Sequence, residues 1–122
     1  MSEFCCYCGI SMKKLPKGVT YTKDHLVPKC KGGNDSIQNK KPCCSDCNSE
    51  KGSRNLKQYI VHLNKELDRL KKHSINYSAS LKHLIYITEL KIFNAEYWLY
   101  YIETAGLKLY RNKEVFNQWK NH

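Results

Sequence analysis

Apolar residues are scattered up to about residue 54 and become periodic after it. Leu56, Ile60, Leu63, Leu67 and Leu70 recur at alternating steps of four and three, which sets them on one face of a helix of about five turns. A polar interval from Ser74 to Ser80 interrupts the pattern. Leu81, Ile85, Thr88, Ile92, Ala95, Leu99 and Ile102 then predict a second helix, with Gly106 as its C-terminal stop. A last short helix is expected to start with Asn112 as N-cap and to bury Val115, Phe116 and Trp119. The two long helices read as similar in length and joined by a short polar connection. That predicts an antiparallel α-helical hairpin, packed on itself or on a second copy as a homodimer through the C-terminal helices. The aromatic run Tyr97, Trp98, Tyr100 and Tyr101 could stack on bases, but aromatics at helical spacing are more often core or interface.

The first half reads differently. A strand starting near Val19 runs into Thr22-Lys23-Asp24-His25-Leu26-Val27-Pro28, and Gly32-Gly33-Asn34-Asp35 supplies a reversal. Asn39 precedes a short return strand, and Cys44 to Gly52 reads as a short helix ended by its glycine. The expected fold class is therefore α+β, a small ββα module over residues 1–54 followed by a helical region over 55–122.

A segment so poor in apolar residues cannot build a large core, and small domains of that kind commonly rely on a structural metal. The cysteines supply the ligands. No run is long and apolar enough to span a membrane, and the N-terminus lacks the charged-then-apolar build of a signal peptide, so a cytoplasmic, reducing setting is expected. Seven cysteines in such a setting favour metal ligation over disulfides. Cys5 with Cys8 and Cys44 with Cys47 form two Cys-x-x-Cys pairs, the usual ligand spacing of a tetrahedral structural Zn²⁺ site. Cys6, Cys30 and Cys43 are left as free thiols. The formal net charge of +10 adds a partner: clustered cations neutralise phosphates and release counterions, so nucleic acid is the leading candidate.

The loop closed by the two cysteine pairs holds the remaining chemistry. Cys5-x-x-Cys8-Gly9, Asp24-His25-x-x-Pro28, Gly32-Gly33, Asn39 and Cys44-x-x-Cys47-Asn48-x-x-Lys51-Gly52 together resemble the HNH endonucleases with the ββα-metal fold, in the subgroup with four zinc cysteines. The resemblance covers roughly residues 5–55. It departs at the hydrophilic Lys40-Lys41-Pro42, which puts the second strand in doubt. The resemblance implies a metal-dependent phosphodiesterase that cuts DNA, with RNA the other polymer. His25 would be the general base, since a neutral imidazole with a pKa near about 6.5 can take a proton from water. Asp24 and Asn48 would present oxygen ligands to a catalytic Mg²⁺, Mn²⁺ or other divalent cation. Asn39 would brace the hairpin behind the base, and Lys51, Lys29 and Lys31 would hold phosphates. Two other classes share the cysteines: a non-catalytic zinc module binding nucleic acid through its basic faces, and an adaptor whose helices pair with a protein. The first has no need for Asp24, His25 and Asn48 together.

Overall fold

The computed structural model describes residues 3–72 and 78–120. It is an α+β fold in the order β1 (Tyr21–His25), β2 (Lys40–Cys44), α1 (Ser45–Lys51), α2 (Leu56–Lys72), α3 (Ala79–Ala105) and α4 (Lys113–Lys120), with three short 3₁₀ turns at Lys29–Lys31, Ile37–Asn39 and Gly106–Leu109. β1 and β2 pair antiparallel, from Tyr21 opposite Cys44 to His25 opposite Lys40. β1 starts two residues later than expected. The return strand does form through Lys40-Lys41-Pro42. Proline lacks a donor, but each strand of a two-stranded sheet is an edge, where a missing N–H is tolerated. Pro42 sits opposite Lys23, and its carbonyl instead accepts from the Cys6 N–H at 2.8 Å.

Cys44 caps α1, its sulfur accepting from the Cys47 N–H, and Gly52 closes the helix at φ 56°. α2 buries Leu56, Tyr59, Leu63 and Leu70, so its apolar stripe falls where the periodicity puts it. α3 begins with Ser78 as N-cap, its hydroxyl accepting from the Leu81 N–H, and ends at Gly106. It therefore starts inside the expected polar break, at Ala79; of that break, Ser74 to Tyr77 lie outside the described residues. At 27 residues against 17, α3 is far longer than α2, so the expectation of matched helices is corrected. Asn112 caps α4 as expected, accepting from the Val115 N–H at 2.9 Å, and Val115, Phe116 and Trp119 are half-buried.

α2 and α3 pack on each other, and the middle of α3 also reaches the cysteine-rich half. The Asn94 amide donates to the Tyr7 carbonyl at 2.6 Å and the Trp98 indole to the Cys6 carbonyl at 3.0 Å. Lys91 pairs with Glu50 of α1 at 3.2 Å, and the Tyr59 hydroxyl donates to the same carboxylate at 2.8 Å. One apolar core consequently joins Tyr7, Leu26, Cys43 and Cys47 to Leu56, Tyr59, Ala95, Ile102 and Tyr110. The aromatic run divides by helix face. Trp98 and Tyr101 pack inward with Lys41 about 5 Å from both rings, while Tyr97 and Tyr100 are exposed. No helix among the described residues is long and apolar enough to cross a membrane.

Candidate active site and metal centre

The metal centre is built by two turns. Cys5 and Cys8 lie on a knuckle closed by the Gly9 N–H to the Cys5 carbonyl, and Cys44 and Cys47 open α1. Their four sulfurs lie within 4.8 Å of one another. The Cys8–Cys44 separation is 3.8 Å, and a tetrahedron with metal–sulfur bonds of about 2.3 Å has edges of about 3.8 Å. The donor set is therefore of the size and type for Zn²⁺. Cys30 is exposed; Cys6 and Cys43 lie near the cluster but outside the four-sulfur set.

The strand that leaves this centre carries the acid and the imidazole. Asp24 faces inward from β1 and is only 3 % exposed. Its Oδ2 accepts from the Tyr7 hydroxyl at 2.6 Å and its Oδ1 from the Lys51 ammonium at 3.2 Å. Burial pushes the Asp24 carboxyl up from its ordinary value, and the Lys51 charge and the two hydrogen bonds oppose that rise. Lys51 is fully buried, and its ammonium also donates to the His25 carbonyl at 3.0 Å. This corrects the expectation of a phosphate contact. A side chain with almost no exposed surface, donating to Asp24 and to a backbone carbonyl, fixes the end of β1 against α1 instead. Lys29 and Lys31 do lie on the exposed 3₁₀ turn after Pro28.

His25, the next residue, turns outward and is partly exposed. Its Nε2 lies 2.8 Å from Asp35 Oδ1. Asn48 projects from α1, its amide nitrogen donating to Thr22 Oγ1 at 2.9 Å. Asp24, His25 and Asn48 line one open cleft of about 350 Å³, edged by Lys23, Pro28, Lys29, Cys30, Gly52 and Ser53. A neighbouring recess of about 460 Å³ is lined by Lys31, Ser53, Arg54 and Gln58.

The loop between the strands is held from behind. Asn39 is fully buried; its Oδ1 accepts from the Val27 N–H at 2.9 Å, and its amide nitrogen donates to the carbonyls of Val27 and Asn34. Gly32 has φ 94°, and a methyl group on Gly33 would lie 1.8 Å from the Val27 carbonyl oxygen, so both glycines are demanded by geometry. The C-terminal segment closes over this loop. Gly33 bridges Tyr110, the Asn34 N–H donates to the Leu109 carbonyl, and the Asn34 side-chain amide donates to the Lys108 and Tyr110 carbonyls.

With that geometry in hand, comparison with known sequences decides the family. Residues 5–64 match the family described as HNH endonuclease. This segment belongs to the HNH endonucleases. The HNH match runs past the ββα module through α1 into the first turns of α2, ending one residue after the buried Leu63. No curated protein and no solved structure matches the chain significantly. An HNH endonuclease domain implies a nuclease, a hydrolase acting on nucleic acid. Tyr7, Thr22 and Asp35 are the residues of this HNH site that sequence reasoning did not single out. Tyr7 announces itself only as an aromatic inside the first cysteine pair, and Asp35 as an acid directly after the reversal.

Proposed function

We propose that the chain is a metal-dependent endonuclease that hydrolyses phosphodiester bonds in DNA. The observation that carries this reading is the convergence of Asp24, His25 and Asn48 on one open, lysine-edged cleft. His25 is the general base: its ring is reachable from the cleft and takes a proton from the attacking water. Asp24 and Asn48 are the candidate holders of a divalent cation, and as hard oxygen donors they fit one. The amide nitrogen of Asn48 is engaged by Thr22, which leaves its oxygen as the donor atom. Asp24 keeps lone pairs beyond those taken by Tyr7 and Lys51, and both partners hold the carboxylate in place. A bound cation would offset charge on the phosphate and on the leaving 3′ oxygen.

Asn39 acts from behind, locking Val27 and Asn34 so that the strand end and the loop opposite it keep their places. Lys29 at the cleft edge and Lys31 in the neighbouring recess are the candidate phosphate contacts, acting as point charges. The four-cysteine site holds Zn²⁺ and ties β2 and α1 to the N-terminal knuckle. Products carry 5′-phosphate and 3′-hydroxyl ends.

The test is cleavage of matched plasmid DNA and RNA by the zinc-loaded full chain, with Mg²⁺ or Mn²⁺ added or withheld, followed by end-group analysis. Divalent-dependent cutting of DNA with 5′-phosphate ends is expected. Binding without cleavage under every divalent ion would overturn the reading in favour of a zinc-stapled binding module.

A further inference from the structure

A histidine acting as base needs one nitrogen bare, and which nitrogen carries the proton is set by what the other one touches. His25 Nε2 lies 2.8 Å from Asp35 Oδ1. An ionised carboxylate only accepts, so this contact requires a proton on Nε2, and in the neutral ring that leaves Nδ1 as the lone-pair nitrogen. Asp35 is ionised: the hydrogen bond from His25, then the charges of Lys29 and Lys40, hold its carboxyl below the usual range. Those two ammonium groups stand 3.8 and 3.6 Å from the same Oδ1.

Asp35 is also held in position despite being 63 % exposed. Its two neighbours are anchored. Asn34 is pinned to the carbonyls of Lys108, Leu109 and Tyr110 and to Asn39. Ser36 donates from its hydroxyl to Asn34 Oδ1 at 2.7 Å. An exposed surface acid would ordinarily wander, and this one is presented by a clamped tripeptide.

We propose that Asp35 is a positioning residue of the nuclease site, fixing the ring orientation and the Nε2–H tautomer of His25 so that Nδ1 is the nitrogen that accepts the proton. The proposal rests on the reading of His25 as general base and adds the group behind it. It also gives the C-terminal segment a part in the site, because residues 108–110 hold the loop that carries Asp35.

The experiment uses the zinc-loaded full chain and its Asp35→Ala and Asp35→Glu variants, with zinc content and melting checked on each. Three quantities are read: single-turnover cleavage of end-labelled duplex DNA with Mn²⁺, affinity for the same duplex without added divalent ion, and the His25 tautomer by long-range ¹⁵N–¹H NMR. Loss of a group that orients a functional imidazole typically costs about 10–100-fold in activity. Asp35→Ala should therefore slow cleavage by about that factor while binding DNA as tightly as the wild type or tighter, since an anion beside Lys29 and Lys40 has been removed. The ¹⁵N spectrum should change from the Nε2–H form to a mixture. Asp35→Glu, which keeps the carboxylate on a longer arm, should restore part of the rate.

A merely structural role would weaken rate and binding together, and that result would overturn the proposal. So would an unchanged tautomer, or an Asp35→Ala rate within about twofold of wild type. A wild type that cuts nothing while its tautomer still responds to Asp35→Ala would overturn the nuclease reading instead.

Discussion

Lys51→Met is the substitution on which the site's internal electrostatics can be weighed. It removes an ammonium from a fully buried position while keeping most of the side-chain volume, so the loss is one of charge and not of packing. Asp24 is left with a buried carboxylate and only the Tyr7 hydroxyl as partner, and the His25 carbonyl loses its donor. Breaking one side of a buried ion pair typically costs about 3–5 kcal/mol. With Asp24 and Lys51 both almost without solvent contact, screening gives little relief and the upper part of that range applies. At about 4 °C per kcal/mol for a chain of this size, a loss of about 4–5 kcal/mol should lower the melting temperature by about 16–20 °C. The assay is urea unfolding of the zinc-loaded protein, paired with the salt dependence of DNA binding. Asp24→Asn in the same background should recover part of the loss, because the uncompensated charge is then gone. The slope of log affinity against log salt should not change. A loss below about 1 kcal/mol together with a salt slope reduced by about 0.9, the signature of one phosphate contact removed, would refute the buried-pair account.

Gly33→Ala should destabilise the chain by about 1–3 kcal/mol, because its methyl group would meet the Val27 carbonyl at 1.8 Å and crowd the Asn39 amide at 2.9 Å. Urea unfolding checks the size, and faster hydrogen exchange at the Val27 amide checks the place. Withdrawal of zinc by a chelator should melt α2 and α3 in the same transition as the ββα module, since Cys47, Tyr59 and Ala95 share one core. Zinc release and loss of the far-ultraviolet helix signal should coincide, and a full helix signal persisting after zinc loss would contradict the shared core.

The elements were legible where one physical signal dominates. The helical stripes of α2 and α3, the caps Asn112 and Gly106 and the four sulfurs follow from periodicity, backbone preference and ligand spacing. The roles of single charged residues were not. Lys51 follows Cys47 by four positions on a lysine-rich chain and looks like any surface cation; only the fold turns it inward onto Asp24. Asp35 reads as a turn residue because its partner, His25, lies ten positions away across a loop whose path is set by Asn39. The division near residue 54 marks a change of composition. The core crosses it, because a cysteine-rich knuckle with little apolar surface of its own is roofed by Asn94 and Trp98 from α3. Periodicity alone placed the C-terminal end of α3 about right and could not distinguish the helix from a partner of equal length for α2.

The claim on which the account turns is that His25 is the proton acceptor of a hydrolytic site. The most direct measurement is single-turnover DNA cleavage by His25→Ala beside the wild type, with zinc content and DNA affinity determined on the same samples. Removal of a general base costs about 10²–10⁴-fold in rate, and the substitution touches neither the four cysteines nor the lysines at the cleft edge. The account predicts a loss of that size with fold, zinc and affinity unchanged. Equal rates for the two proteins would contradict it.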